Sequence, residues 1–340
     1  MIYYVATERH LQGTRRFLGA NPAMKRVLQP FSYEELLVSK CGPVGHYIFT
    51  DFDRLTRYEL DCVSAFRARL REIAPEAHQL NDPATVLDRY PMLVALHKAG
   101  INAFTATRIE TGQHPPAYPV FIRSEDGCRG PETALIADGD AYDAALADLR
   151  AKGKARRGRI AIGYAAQVGP DGLFRKYGAY RIGGDILPHH VHFGRHWVVK
   201  RNAVGNDKAL KTNDGAAGHA ALVEEELAYV RDNPHQELLA KVFEIAGVEF
   251  GRVDYGIVDG RVAIYEINTN PKLPRFQRSD ARNGIREITR PQMLGGFQTL
   301  NTRVSAPRRL VRFATPKPRE HSFRWPRRTL PRALVRFVLA

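Results

Sequence analysis

Two short segments in the last third of the chain constrain its folding more than any other feature. Residues 251–256 read GRVDYG and residues 266–271 read EINTNP, with apolar residues on both sides of Asp259-Gly260 between them. Alternating β-branched residues around a tight turn are typical of a β-hairpin. Carboxylate and amide oxygens are the ligands that Mg²⁺ prefers where it also binds phosphates. The pattern therefore predicts a hairpin that carries Asp254, Glu266 and Asn268 as metal ligands.

The register of this hairpin decides whether the two carboxylates share a face. A regular two-residue turn would place Asp254 opposite Tyr265, so that Asp254 and Glu266 would point to opposite faces. A three-residue loop with Gly260 in the left-handed region gives a bulged hairpin, in which Asp254 lies opposite Glu266. We predict the bulged register, because only this register separates apolar from polar side chains.

In the bulged register Arg252 also lies opposite Asn268, on the same face as the two acids. The other face would carry the pairs Val253 with Ile267, Tyr255 with Tyr265, and Ile257 with Ala263. Like charges that face each other destabilise a sheet, and a bound cation removes that penalty. An ordinary solvated hairpin is the alternative.

The composition is that of a globular protein. The chain has 340 residues, of which 44% are hydrophobic and 26% are charged, and it can bury a large core. The N-terminus predicts a strand and not a signal peptide, and no apolar run is long enough for a membrane span. Three cysteines, Cys41, Cys62 and Cys128, indicate free thiols. We expect a cytoplasmic protein.

The net charge of +15 is concentrated at the C-terminus. Residues 303–340 contain eleven Lys and Arg residues against one acid, Glu320. Two interpretations stay open: residues 331–340 form a basic amphipathic helix on the inner face of a membrane, or the tail is solvated and disordered. No nucleic-acid-binding motif is present, so we do not expect the tail to bind nucleic acid.

Hydrophobic periodicity divides the rest of the chain into strands and helices. We predict an α/β domain over residues 1–80, two further units over 81–165 and 166–290, and a basic tail over 291–340. The elements expected from the pattern are strands Ile2–Ala6, Leu36–Ser39, Tyr47–Phe49, Tyr118–Arg123, Arg159–Ala166 and His196–Lys200, a hairpin around Gly183-Gly184, and helices Leu55–Ile73, Asp82–Gly100, Asp140–Lys152 and one or two within Glu224–Gly247.

Several of these elements end on residues that could bind phosphate. One strand ends on Arg123 and is followed by a loop with Gly127 and Gly130, and another ends on Lys200. Together with the acidic hairpin, this order resembles the ATP-grasp superfamily, which includes D-alanine–D-alanine ligase, glutathione synthetase and the ribosomal-protein glutamate ligases. The resemblance covers roughly residues 80–275. The hairpin motif is its specific part.

The resemblance implies an α+β fold in which two α+β subdomains clamp ATP, preceded by a small α/β domain. It implies ATP and Mg²⁺ as cofactors, and a reaction that joins a carboxylate to an amine or another nucleophile through an acyl phosphate. Arg252 would stabilise the reacting carboxylate. The residues implied in nucleotide binding are Arg123, Gly127, Gly130, Tyr164, Ala165, Ala166, Lys176 and Lys200.

The sequence departs from the family pattern where adenine and ribose should bind. Residues 162–167 contain no acid, whereas relatives carry carboxylates there. This motivates a second hypothesis: a protein of the same fold that binds a ligand or partner without catalysis. A third hypothesis, intermediate between these two, is a kinase-like protein of this fold that phosphorylates a substrate without ligation.

Lesser signals concern single residues. Arg89 is either a nucleotide contact or an ordinary surface residue. The histidines His189, His190, His192 and His196 favour a substrate-pocket or surface role over a metal site. Arg175 and Lys176 are adjacent on a strand, so only one of them can point into a cleft.

Overall fold

The computed structural model describes residues 1–127, 130–199, 213–276, 282–305 and 309–316, with residues 213–217 as backbone only. The strands are β1 Ile2–Ala6, β2 Leu28–Ser32, β3 Cys41–Pro43, β4 His46–Phe49, β5 Gln79–Leu80, β6 Ala106–Arg108, β7 Val120–Ser124, β8 Arg159–Gly163, β9 Phe174–Ile182, β10 Asp185–Gly194, β11 Phe250–Val258, β12 Arg261–Asn268 and β13 Leu310–Arg312. The helices are α1 Gln12–Ala20, α2 Tyr33–Ser39, α3 Arg57–Ile73, α4 Arg89–Lys98, α5 Gly139–Ala151, α6 Asn213–Asp232, α7 Gln236–Ile245 and α8 Asn283–Leu300.

The first part of the chain forms a parallel sheet in the order β2-β1-β4-β5. Its strands alternate with helices, which is how a parallel sheet is connected. The predicted strand over Leu36–Ser39 is wrong, because these residues belong to α2. Ser32 caps that helix by accepting a hydrogen bond from the Glu35 N–H at 3.0 Å, and this local N-terminal signal outweighs the strand preference of Val38.

Two antiparallel sheets follow, as the resemblance implies for the fold. The smaller has the order β6-β8-β7 and the larger the order β10-β9-β11-β12. Helices α4, α6 and α7 contribute to the same hydrophobic core as the larger sheet. The expected fold class, α+β with two such units after an α/β unit, is confirmed. The domain boundaries remain predictions.

Three other element predictions need correction. The helix predicted from Asp82 begins only at Arg89. The strand predicted over Arg159–Ala166 ends at Gly163. The strand predicted over His196–Lys200 is wrong in its described part, because residues 196–198 form a bend and residue 199 belongs to no regular element. The helix break predicted near Asn233 is confirmed between α6 and α7.

Asn81 connects the first sheet to the larger antiparallel sheet. It is buried at a positive φ of 64°, which Asn adopts more readily than most residues. Its side chain donates to the carbonyls of Phe49 and Phe250 at 2.8 Å each, and it accepts from the N–H groups of Glu249 and Phe250. A buried apolar cluster that contains Tyr4 and Phe250 reinforces this junction.

The C-terminal part returns to the first unit. Helix α8 packs on the larger sheet, and β13 pairs antiparallel with β3, so part of the segment predicted as a tail is ordered. Residues 317–340, where the membrane-binding helix was predicted, lie outside the described residues. No helix in the described part of the chain has the length and apolar character needed to cross a membrane.

Candidate functional site

The hairpin of β11 and β12 has the predicted pairing at the site but not at the turn. Asp254 pairs with Glu266, Val253 with Ile267, and Arg252 with Asn268. The turn, however, is the regular two-residue type, because Val258 pairs with Arg261, and both Asp259 (φ 49°) and Gly260 (φ 72°) are left-handed. The predicted three-residue loop is therefore wrong.

The extra residue lies inside β12, at Tyr265. Tyr255 pairs with Ile264 and Asp254 with Glu266, which leaves Tyr265 as a bulge. The predicted pairing of Tyr255 with Tyr265 is thus wrong too. A bulge can place two consecutive side chains on one face, and Tyr265 and Glu266 both line the same cavity.

Asp254 is the centre of charge on this face. Only 2% of the residue is exposed, and its carboxylate accepts from the Arg252 guanidinium at 2.8 and 3.2 Å and lies 3.2 Å from the Lys176 ammonium. Burial alone would raise the pKa of Asp254, but Arg252 and Lys176 outweigh burial and hold it below its ordinary value. Asp254 is therefore an anion, and both of its oxygens are paired with cationic side chains.

Arg252 interacts with the Tyr180 hydroxyl as well as with Asp254. Burial opposes its charge, but the Asp254 carboxylate and then the Tyr180 hydroxyl raise the pKa of the Arg252 guanidinium. Arg175, next to Lys176 on β9, also lines the cavity, but its guanidinium pairs with Glu225 at 2.6 Å and Asp171 at 3.0 Å. Of this adjacent pair, Lys176 is the residue whose charge reaches Asp254.

Glu266 is reached by two arginines from other elements. The Arg89 guanidinium at the start of α4 lies 2.7 Å from it, and Arg123 at the end of β7 lies 3.8 Å away. Both arginines also donate to the Gly127 carbonyl, at 3.2 and 3.0 Å. The glycine loop is thus tied to the hairpin through two cations, and Arg89 belongs to the site and not to the surface.

Asn268 is positioned by its own loop. Its side-chain oxygen accepts from the Asn270 N–H at 2.9 Å, and the Asn270 side chain in turn accepts from the Tyr4 hydroxyl at 2.8 Å. Tyr4 belongs to β1, so the first unit supports the loop that presents Asn268.

A cavity of about 470 Å³ opens between the two antiparallel sheets. Its volume lies within the usual range of ligand pockets. Its lining includes the charged residues Arg123, Lys176, Asp254 and Glu266 together with several aromatic residues. Among these, the Trp197 ring lies 4.9 Å from that of Phe121 and 5.7 Å from that of Tyr164. The sequence analysis did not predict Trp197 or Phe121 as residues of the cavity. The position of Trp197 shortly before Lys200, a predicted phosphate ligand, could have indicated it.

The predicted nucleotide-binding residues are distributed as follows. The cavity lining contains Arg123, Gly130, Tyr164, Ala165, Ala166 and Lys176. Gly127 contributes its carbonyl to Arg89 and Arg123, and both Gly127 and Gly130 have a positive φ, which favours glycine. Lys200 and Cys128 lie outside the described residues.

Two backbone groups expected to bind adenine are already used within the protein. The Tyr164 N–H donates to the Pro119 carbonyl at 2.8 Å, and the Ala165 carbonyl accepts from the Tyr265 hydroxyl at 2.9 Å. Tyr164 can still contribute its ring. Apart from Asp254 and Glu266, the described residues of the cavity lining include no carboxylate.

The donor set of the hairpin is one of hard oxygen ligands. In the described part of the chain, no group of three or more His, Cys, Asp or Glu residues is arranged to hold a metal ion. The predicted set of two carboxylates and one amide oxygen has the chemistry that suits Mg²⁺ with phosphate ligands. The Nε atom of Arg89 is buried without a hydrogen-bond partner among the described residues, as expected if an anionic ligand completes the site.

Neither a family model nor a curated protein sequence matches the chain. In fold the chain is similar to several solved structures. The D-alanine–D-alanine ligase of Bacillus anthracis complexed with ATP has a TM-score of 0.48 and 11% identity, with 88% of this chain and 95% of that chain covered. The ATP-grasp ligase PsnB complexed with minimal precursor has a TM-score of 0.48 and 11% identity, over 88% and 99%. A RimK domain ATP-grasp protein from Sphaerobacter thermophilus has a TM-score of 0.41 and 15% identity, over 85% and 99%.

Proposed function

We propose that this chain is an ATP- and Mg²⁺-dependent ligase that joins a carboxylate to an amine or another nucleophile. The observation that carries the proposal is the pairing of Asp254 with Glu266 in the cavity lining, next to the pairing of Arg252 with Asn268 two residues further along the hairpin. The three oxygen ligands and the arginine share one face of the hairpin. The aromatic residues of the cavity lining are suited to stacking a base.

The residues divide into binding and reacting groups. Asp254, Glu266 and Asn268 would hold Mg²⁺, which neutralises phosphate charge when bound. Lys176, Arg123 and Lys200 would contact the phosphates of ATP, and the glycine loop would close over them.

The chemistry would take place beside Arg252. The substrate carboxylate would attack the terminal phosphorus of ATP, which releases ADP and forms an acyl phosphate. The nucleophile would then attack the acyl carbon, lose its proton and displace phosphate. The Arg252 guanidinium would stabilise the negative oxygen that develops on that carbon.

Mg·ATP binding is the first test, because it needs no knowledge of the substrates. A ligand that binds only the folded state raises its stability by mass action, so Mg·ATP should raise the melting temperature of the wild type. Asp254→Asn and Glu266→Gln should abolish the rise. Asp259→Asn is the matched control, since it removes a carboxylate from the turn of the same hairpin, away from the cavity. The absence of any shift in the wild type at millimolar Mg·ATP would reject the proposal.

A second candidate is a nucleotide-binding protein without ligase activity. It is favoured by the lack of further carboxylates in the described cavity lining, where relatives use an acid for ribose, and by the engagement of Asp254 with two cations. Incubation with Mg·ATP, a panel of carboxylic acids and hydroxylamine separates the two. ADP with a hydroxamate supports the ligase. A stable phosphorylated product supports a kinase, and binding without turnover supports the second candidate.

A further inference from the structure

His190 lies in line with the centre of the candidate site. It pairs with Gly178 across β10 and β9, and Gly178 pairs with Asp254 across β9 and β11. Residues directly opposite in a sheet share a face, so His190 faces the same side as Asp254. A Cβ atom on Gly178 would lie 2.3 Å from Cε1 of His190 and 2.4 Å from Nε2. The imidazole therefore lies across Gly178, in the space that the glycine leaves open.

The Nε2 atom of His190 is buried without a hydrogen bond. The residue is 4% exposed, and within the described ranges no protein atom bonds to Nε2. An unpaired buried polar group costs about 1–3 kcal/mol, so such an atom on the face that carries Asp254 indicates a missing partner. The His192 ring stacks on the imidazole at 3.9 Å and restricts its movement.

The surroundings of His190 indicate the kind of ligand. Burial, His192 and the nearby cations Arg252 and Lys176 hold the pKa of His190 well below its ordinary value, so the ring is neutral and carries one N–H. Arg282, which also acts on His192, contacts Glu226. Arg252 and Lys176 share the single carboxylate of Asp254. Cations thus exceed anions around a neutral N–H donor.

We propose that His190 donates a hydrogen bond from Nε2 to an oxyanion that Arg252 and Lys176 also bind. The identity of that oxyanion rests on the proposed function: it is either the terminal phosphate of ATP or the carboxylate of the substrate. Both are oxygen anions that a neutral N–H donor and two cations recognise together. His190 is then a further residue of the site, beyond the hairpin and the phosphate-binding loop.

Binding measurements with four probes test this assignment. Mg·ATP, Mg·ADP, acetate in the presence of Mg·ADP, and inorganic phosphate are titrated calorimetrically into the wild type and into His190→Phe, which keeps a ring but removes the N–H. The loss of one hydrogen bond to an anion should weaken the affected probe about tenfold or more. A loss for Mg·ATP but not for Mg·ADP assigns the oxyanion to the terminal phosphate, whereas a loss for acetate assigns it to the carboxylate.

Further variants separate a contact from a structural effect. His190→Gln retains an N–H donor and should recover part of the affinity. Gly178→Ala keeps the imidazole but displaces it, so it should reproduce the loss. His78→Phe, on the exposed surface of the first unit, is the control and should change nothing. In the wild type, the Nε2–H resonance of His190 should shift on addition of the same probe, and this measurement does not depend on how any variant folds.

The outcomes distinguish this proposal from the proposed function. Equal affinities in the wild type and His190→Phe, with an unmoved Nε2–H resonance, overturn the role of His190 and leave nucleotide binding intact. If the wild type binds inorganic phosphate through His190 but no nucleotide, the oxyanion site stands and the ligase proposal fails. If the wild type binds none of the four probes, both fail.

Discussion

Deletion of Tyr265 tests whether the bulge, and not the turn, sets the register of the site. Tyr265 is the one residue of β12 without a partner in β11. Without it, the regular hairpin would still place Ile264 opposite Tyr255 and Glu266 opposite Asp254, because the bulge adds one residue and its removal subtracts one. We therefore expect the deletion to preserve the fold and the pairing of the two carboxylates.

The structure sets the expected cost of this deletion. It removes the hydrogen bond from the Tyr265 hydroxyl to the Ala165 carbonyl, worth about 0.5–1.5 kcal/mol, and the contacts of one partly exposed ring. The free energy of unfolding should fall by about 1–3 kcal/mol.

Deletion of Ala263 is the matched control, since it shortens the same strand by one residue. Glu266 would again face Asp254, but Ile264 would leave the core and Tyr265 would enter it. Ile264 is fully buried, and its N–H and carbonyl are both bonded to the Asn102 side chain. The loss of a buried aliphatic side chain costs about 2–5 kcal/mol, and the two hydrogen bonds add to it, so this deletion should cost about 4 kcal/mol or more.

Urea denaturation of the wild type and both deletions measures the two costs. Contacts between the α-protons of Asp254 and Glu266 in NMR spectra report the register directly. Equal destabilisation by the two deletions, or loss of the contact between Asp254 and Glu266 in the Tyr265 deletion, would refute the assignment of the bulge.

Three further predictions concern other parts of the molecule. Asn81→Ala should lower the free energy of unfolding by about 2–4 kcal/mol in urea denaturation, because it leaves buried backbone groups unpaired; a cost below 1 kcal/mol would contradict its role at the junction. Burial raises the pKa of Glu226 to about 7, so wild-type stability should fall by up to about 3 kcal/mol as pH rises from 4.5 to 7, and Glu226→Gln should lose this slope in urea titrations at pH 5 and pH 8; parallel slopes would disprove the assignment. Lys176→Met should weaken Mg·ATP binding about tenfold in calorimetry, whereas Arg175→Met should leave it within about twofold because Arg175 pairs with other acids; equal losses would show that both reach the ligand.

The local sequence pattern was sufficient to predict much of the candidate site. Strand alternation has a period of two residues, so the register that separates apolar from polar positions puts Asp254, Glu266, Arg252 and Asn268 on one face. The break between α6 and α7 and the hairpin at Gly183-Gly184 follow from turn residues in the same way. The strand predicted at Leu36 failed because the cap at Ser32 is a local signal of another kind.

The predicted pairing of Asp254 with Glu266 did not reveal where in the hairpin the extra residue lies. A three-residue loop and a bulge at Tyr265 give the same partner for Asp254, so sequence spacing cannot separate them. The structure has the bulge inside the strand, where the Tyr265 hydroxyl reaches the Ala165 carbonyl across the cavity. A contact with the opposite sheet fixes the extra residue there, and such contacts are absent from a local pattern.

What the sequence determined is which residues share a face of the hairpin, since only one register separates its apolar from its polar side chains. What only the tertiary structure decided is which distant groups approach them: Arg89 lies 177 residues from Glu266 along the chain and 2.7 Å from it in space, and the ring of His190 lies over Gly178, which pairs with Asp254. The physical reason is that these contacts depend on how whole sheets and helices pack, which is set by the combined burial of many side chains and not by the spacing of a few.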